Sequence, residues 1–303
     1  MLIKLCHFAV LLCTGLFLAG CRDSLIAFSS ARNGNFEIWT VDINGENACS
    51  LTESKGHDFS PCWSPDGRKI VFYSTRDQVK INKKDYNTEI YSMYANGTGV
   101  TRLTYNKYAD IAPSFSPKGD KIAFCSDRKE KLLFGLFIMN PDGTDQKIIT
   151  SSTNVIEKSP DWLNNDFLVF ERTYINMKGM KQCNLFMINK NGSDLRQITN
   201  SDYQDHTPSC SRDGSKIVFT RIDGTRHSKI YIINSDSTKL KRLTHDDFYN
   251  DEGPSWSPDG QKIVFSSWRG KRHLYIINID GTNLHEALQP CPLDDIDPCW
   301  SPF

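Results

Sequence analysis

The chain lacks an excess of either charge: Lys plus Arg and Asp plus Glu number 36 each. With no net field there is nothing to draw in a nucleic acid. No phosphate-cradling loop of the P-loop or dinucleotide type occurs. No two cysteines stand in a C-x-x-C arrangement, so spacing makes no case for a zinc site. No G-x-S-x-G nucleophile turn is present. The seven histidines show no metal-ligand spacing, and the placement of His57 and His206 beside the repeats described below is read as chance. Long low-complexity stretches are missing as well. The remainder, 39% hydrophobic, 11% aromatic and 24% charged, is an ordinary globular mix.

What the chain does have is a repeat. An acidic residue stands three positions before a proline six times, at Pro61, Pro113, Pro160, Pro208, Pro254 and Pro298, which lie 52, 47, 48, 46 and 44 residues apart. In the clearest copy, Pro254 to Ser257 reads as a first strand and Pro258-Asp259-Gly260 as a turn. Lys262 to Ser266 is a second strand, Leu274 to Asn278 a third, and Asp280-Gly281 a hairpin turn before a fourth. The copy at Pro160 is worn, with Trp162-Leu-Asn-Asn-Asp-Phe167 in place of the Ser-Pro-Asp-Gly turn. Four strands in a period of roughly 45 residues is the blade of a β-propeller. The aromatic two residues after each proline (Trp63, Phe115, Trp162, Trp256, Trp300) is expected to pack between blades, with Cys210 in its place in one copy.

The two ends complement each other. Leu25-Ile-Ala-Phe28 matches a second strand with no first strand before it, and Cys299-Trp300-Ser301-Pro302-Phe303 is a first strand with nothing after it. The expected fold is therefore all-β. It is a six-bladed β-propeller of four-stranded blades over residues 25–303, its ring closed by the C-terminal strand joining the N-terminal blade.

Residues 1–20 read as a leader: Lys4, an apolar run from Leu5 to Leu18 too short to span a bilayer comfortably, then Leu18-Ala19-Gly20-Cys21. Small residues before a cysteine at this place resemble the bacterial lipoprotein signal. The resemblance implies cleavage before Cys21 and its acylation, with residues 21–24 as an anchored spacer. Several acyl chains on one residue anchor stably. The implied location is exported, attached to the cell membrane or outer membrane and facing the periplasm or cell surface. Of ten cysteines, seven then remain (Cys49, Cys62, Cys125, Cys183, Cys210, Cys291, Cys299), an odd number that leaves at least one unpaired. Cys62 and Cys299 occupy the same repeat position in adjacent first strands, where a cross-link is conceivable.

The repeat P-x-W-S-P-D-G-x-K-I-x-F, followed by I-Y-x-x-x-x-D-G and R-L-T, resembles the TolB propeller repeats. It is also similar to the propellers of prolyl-oligopeptidase-type peptidases. The resemblance covers nearly all of 25–303 and implies the propeller fold. TolB proteins carry an additional N-terminal domain and are soluble in the periplasm, whereas this chain places only Arg22 to Ser24 between the lipid cysteine and its first strand. The peptidases carry a hydrolase domain, for whose nucleophile turn there is no counterpart here.

Two repeated features fall at one mouth of the expected channel. The acids are Asp58, Asp110, Glu157, Asp205, Asp251 and Asp295. Four residues after the second-strand phenylalanine come Arg32, Arg76, Arg128 and Arg269. Each carboxylate either caps its loop or pairs with an arginine, or the six form a ring that takes a divalent cation such as calcium, or a basic partner segment. Two loops on the same face are long: 78–88 with Lys80, Lys83 and Lys84, and 174–182 with Lys178 and Lys181. They are partner surfaces or tolerated insertions. The opposite face has tight turns only. Three spacer residues reach about 10 Å, so that face is expected to lie toward the membrane. The function expected is a non-catalytic, monomeric, lipid-anchored envelope protein without a cofactor, binding a protein or peptidoglycan-associated partner at the acid face. The alternative is a metal-dependent polysaccharide lyase or hydrolase-like enzyme working in the channel, since some similar propellers are such lyases. A purely structural module in a larger envelope complex is a third reading.

Overall fold

The computed structural model describes residues 24–77, 87–130, 133–150, 153–224, 227–288 and 293–303. The leader, Cys21, Lys80, Lys83, Lys84 and Cys291 lie outside the described residues. Every regular element among the described residues is a strand. In chain order these are β1 (Leu25–Ser30), β2 (Glu37–Asp42), β3 (Cys49–Ser50), β4 (Asp58–Trp63), β5 (Lys69–Ser74), β6 (Glu89–Tyr94), β7 (Thr101–Arg102) and β8 (Asp110–Phe115). Then come β9 (Ile122–Glu130), β10 (Leu133–Met139), β11 (Lys147–Ile148), β12 (Ile156–Trp162), β13 (Phe167–Ile175), β14 (Lys181–Asn189), β15 (Arg196–Gln197) and β16 (Gln204–Cys210). The last eight are β17 (Lys216–Ile222), β18 (Ser228–Asn234), β19 (Lys241–Arg242), β20 (Asn250–Trp256), β21 (Lys262–Trp268), β22 (Arg272–Asn278), β23 (His285–Glu286) and β24 (Asp295–Trp300).

The strands group as antiparallel meanders of four. Sheet I is β24-β1-β2-β3, sheet II β4 to β7, sheet III β8 to β11, and sheet VI β20 to β23. Sheets IV (β12 to β15) and V (β16 to β19) are joined by a single parallel bridge between Cys183 and Gln204. Sheet I takes its first strand from the far end of the chain, with Ile26 opposite Trp300 and Ser30 opposite Asp295.

Six apolar clusters lie between successive sheets. Ile38 of sheet I meets Phe72 and Met93 of sheet II, Val71 of II meets Phe124 of III, and Leu136 of III meets Phe170 of IV. Leu185 of IV meets Phe219 of V, and Ile230 of V meets Phe265 of VI. The sixth cluster brings Val264 and Leu274 of sheet VI against Phe28, Val41 and Trp300 of sheet I. The aromatics two residues after the prolines are buried. Trp63, Trp162 and Trp256 each donate an indole N–H to a backbone carbonyl of the preceding sheet: Cys299, Ser114 and Ser209, at 3.0–3.2 Å. The tryptophan thus fills the inter-sheet layer and finds a partner for its one polar atom.

Turn chemistry follows the residues. Gly67, Gly119, Gly214 and Gly260 take φ of 64–72° in the first turns, a region that costs glycine no Cβ clash. The serine before each turn accepts from the backbone that re-enters the second strand, as in Lys69 N–H to Ser64 Oγ at 2.9 Å. The threonine closing a fourth strand accepts the N–H of the adjoining third strand: Ile38 to Thr52, Ile90 to Thr104, Leu136 to Thr150, Leu185 to Thr199 and Ile230 to Thr244, at 2.9–3.0 Å. One expectation is corrected. Residues 174–182 are not an open loop, because β13 and β14 stay paired out to Ile175 and Lys181 and turn tightly at Asn176–Gly179. Tyr174 faces Gln182 across that hairpin, so alternation continues where the polar sequence suggested none.

Candidate functional site

The residue before every repeat proline has a positive φ: Ser60, Ala112, Ser159, Thr207, Gly253 and Asp297, between 46° and 62°. Each sits in a bulge. Phe59 faces Tyr73 and Cys62 faces Val71, three steps against two, and the same one-residue excess recurs in all six first strands. The extra residue resets alternation. Asp58 and Trp63 are five apart, which in a regular strand sends them to opposite faces. Their partners Ser74 and Ile70 are four apart, so both side chains enter the same inter-sheet layer.

That bulge is why the acids are buried. Asp58, Asp110, Glu157, Asp205, Asp251 and Asp295 are at most 1% exposed. A buried carboxylate needs a partner, and five of the six take a guanidinium. Arg76 Nη2 donates to Asp58 Oδ2 and Arg128 Nη2 to Asp110 Oδ2, both at 2.6 Å. Arg32 donates to both oxygens of Asp295, Nε at 3.3 Å and Nη2 at 2.8 Å. Arg172 Nε donates to Glu157 Oε1 at 2.9 Å. Arg221 grips Asp205 with Nε and Nη2 at 2.6 and 2.9 Å, the two-pronged geometry that suits arginine to carboxylate. In sheet VI Asp251 instead accepts from Ser267 Oγ at 2.6 Å, with Arg269 Nε donating to that same hydroxyl at 3.2 Å. Burial raises the pKa of Asp110 and Asp251 above the ordinary carboxylate value.

Each guanidinium also lies near aromatic rings. Arg76 is 5.2 Å from Phe72 and 4.9 Å from Tyr91, and Arg221 is 5.3 Å from Phe219 and 5.0 Å from Tyr231. Arg128, Arg172 and Arg32 repeat this with Phe124 and Phe137, Phe170 and Phe186, and Phe28 and Trp39. The recurrent unit is thus a carboxylate, a guanidinium and two rings within one sheet. The six acids are spoken for one sheet at a time; they do not converge as bare ligands on one point.

Sequence reading found four of the six arginines and missed Arg172 and Arg221. Four sheets carry Phe-x-Ser-x-Arg (28–32, 72–76, 124–128, 265–269), in which serine stands opposite the acid and arginine reaches back from two residues further. Sheets IV and V carry Phe-x-Arg (170–172, 219–221), with arginine directly opposite the acid. The signal was in the sequence, at a spacing of two rather than four. In those sheets the place four after phenylalanine goes to Tyr174 and Asp223. Tyr174 Oη accepts from Asn184 Nδ2, and Asp223 accepts from Tyr231 Oη, whose pKa is pushed up to about 12 by burial and by that carboxylate.

First strands begin and second strands end at one edge of the molecule, and the loops there carry exposed apolar side chains. Phe248 is 84% and Tyr105 72% exposed, with Met177, Trp268 and Tyr203 beside them in the same class. At the other edge, Arg212 Nη1 donates to Pro302 O at 3.1 Å and the Phe303 ring lies against Gly67. Residues 301–303 therefore run from sheet I toward sheets II and V over the tight-turn end.

Repeated four-stranded meanders, packed face to face with one core per junction, define a protein of the β-propeller class. The model of the TolB beta propeller domain matches residues 22–181 and again 129–303, and the chain belongs to that family. It is 29% identical over 153 residues to a protein named TolB homolog from Chlorobium luteolum, covering 50% of this chain and 31% of that one. It is 30% identical over 147 residues to the Tol-Pal system protein TolB of Francisella tularensis, covering 47% and 32%. The chain thus spans about a third of the length of these curated relatives. Among solved structures, TolB from Acinetobacter baumannii aligns with a TM-score of 0.74 at 19% identity, over 92% of this chain and 66% of that one.

Proposed function

We propose that this chain is a non-catalytic, lipid-anchored cell-envelope protein that binds a protein partner of the envelope through the loop edge of a closed six-bladed ring. In this reading residues 1–20 are the lipoprotein leader, Cys21 bears the lipid, 21–24 are the spacer, and 25–303 are one propeller module. Closure draws support from the β24–β1 pairing and from the apolar cluster between sheets VI and I. The tight-turn edge faces the membrane and the loop edge faces away, with Arg32, Arg76, Arg128 and Arg269 around it; Lys80, Lys83 and Lys84, the other candidates for partner contact, lie outside the described residues.

The observation that carries the binding role is that six of the eight exposed aromatic and methionine side chains among the described residues lie at that one edge: Tyr105, Met177, Met180, Tyr203, Phe248 and Trp268, against Tyr94 and Phe303 elsewhere. Aromatic and methionine side chains left in water are the residue types that anchor protein interfaces. The paired, buried state of the acids favours a scaffold role for them over cation binding, and a TolB family relative is named for the Tol-Pal system. The test is affinity purification from detergent-solubilised envelope with the wild type and the triple variant Tyr105→Ala, Phe248→Ala, Trp268→Ala. A stoichiometric partner lost in the variant, with an unchanged circular-dichroism spectrum, supports the proposal. A partner kept by the variant, or turnover of an oligosaccharide panel, refutes it. Cys21→Ala is expected to move the protein out of the membrane fraction.

A further inference from the structure

One cluster of chemically reactive side chains belongs to none of the repeated features. Glu171 is in β13, Cys183 in β14 and His206 in β16, so the group straddles sheets IV and V at their one parallel bridge. Cys183 Sγ stands 3.5 Å from His206 Nδ1, and Glu171 Oε2 stands 3.2 Å from the same nitrogen. The three donor atoms lie within 4.8 Å of one another, and no other such group occurs among the described residues.

We propose that Cys183, His206 and Glu171 bind one zinc-class divalent ion as thiolate, imidazole and carboxylate, with water in a fourth position. The distances argue for it. Zinc bonds of about 2.3 Å to sulfur and about 2.0–2.1 Å to nitrogen and oxygen, at the tetrahedral angle, separate ligand atoms by roughly 3.5 Å for S–N and roughly 3.3 Å for N–O. The two measured edges match these values as the side chains stand. Convergence on a single ring nitrogen argues the same way. In a nucleophile–base–orienter relay, thiol and carboxylate would address opposite nitrogens of the imidazole.

The surroundings hold the ligands in place. Thr207 N–H donates to Glu171 Oε2 at 2.9 Å. Such an outer contact fixes ligand orientation. In the metal-free form the Cys183 thiol donates to the Asp205 carbonyl at 3.2 Å, a hydrogen bond that ends when the sulfur loses its proton. Binding displaces the thiol proton to solvent, and the imidazole coordinates as its neutral form. The places that correspond to Glu171 and His206 at the other junctions hold Ser29 with Phe59, Tyr73 with Ile111, Cys125 with Lys158, Thr220 with Glu252, and Ser266 with Ile296. None of these supplies a carboxylate and an imidazole together. A sulfur–nitrogen donor set selects zinc-class ions over calcium or magnesium. Cys183 is buried while the His206 side chain is 29% exposed, which leaves the fourth position open on the histidine side.

The test is cobalt(II) titration of the metal-stripped full-length protein in detergent. Expected are saturation at one equivalent, a near-ultraviolet thiolate-to-cobalt charge-transfer band, intense visible bands of a four-coordinate ion, and displacement of all three by zinc. Cys183→Ser should abolish the charge-transfer band, His206→Gln should weaken binding tenfold or more, and Cys62→Ser, at another junction, should leave the spectrum unchanged. Absence of the band in the wild type, its survival in Cys183→Ser, or its loss in Cys62→Ser overturns the proposal. Circular dichroism of each variant separates loss of the site from loss of the fold.

Discussion

Sheets I to III and sheets IV to V solve one problem in two ways. All five bury an acid at the head of the first strand and neutralise it with arginine. In I to III the arginine comes from beyond the strand end and keeps its side chain 17–21% exposed. In IV and V it comes from within the strand, directly opposite the acid, and falls to 10% and 5%. The two-residue shift moves a charge from the rim into the pleat and frees a rim position. Tyr174 and Asp223 occupy the freed places, so the rim carries arginine on one side and a phenol and a carboxylate on the other. The reactive Glu-Cys-His group lies on that second side. The lesson is that the repeat keeps a charge balance inside these five sheets while letting the rim diverge.

The largest expected difference lies in removing the acid. Asp205→Ala strands Arg221 among rings, which should cost about 3–5 kcal/mol. Asp58→Ala leaves an arginine that can turn to water, which should cost about 1–3 kcal/mol. Urea unfolding midpoints compare them, and equal losses would erase the distinction between the two groups of sheets. Next, Arg221→Lys replaces a fork that spans both oxygens and stacks on rings with a point charge. About 2 kcal/mol should be lost there and less for Arg76→Lys by the same measurement. The threonine caps sharpen the comparison from the other side, because both groups share them. Thr150→Val and Thr199→Val should each cost about 1–2 kcal/mol, equally. Gly253→Ala should cost about 1 kcal/mol, since its φ of 62° is one that serine, alanine, threonine or aspartate adopts at strain in the other five sheets.

Sheet VI gives a pH prediction. Burial raises Asp251 above its ordinary pKa. Its contribution to stability is therefore fullest below the unfolded-state value and is lost as pH rises through the folded-state value. Asp251→Asn, which cannot ionise, should gain stability relative to wild type as pH is taken from acid to neutral. Unfolding midpoints across that range check the sign, and a constant difference would show that the carboxylate does not titrate in this window.

Strand order, turn glycines, inter-sheet tryptophans and the six acids could be read from the sequence because each is a local pattern repeated at a fixed offset. The bulge could not. Its residue is serine, alanine, serine, threonine, glycine or aspartate, with only the following proline in common. Missing it hid the reason acid and tryptophan share a layer, and so left a bare ring standing as an alternative to capping or pairing with arginine. Arg172 and Arg221 were missed because the offset was taken as fixed at four. The Glu171–Cys183–His206 group joins three strands of two sheets across 35 residues, a proximity that only the packing of neighbouring repeats creates.

The pairing of β24 with β1 also sets a timetable. β1 offers one unsatisfied edge to its surroundings from the moment it emerges, and the segment that covers it, residues 295–300, is made only after sheets II to VI. Sheets II to VI can assemble in order of synthesis, but the first sheet waits for residues 295–300, a long-range contact that slows its completion. A newborn molecule therefore carries a sticky margin until β24 is made, and any factor that shields this margin until that strand docks raises the yield of folded protein.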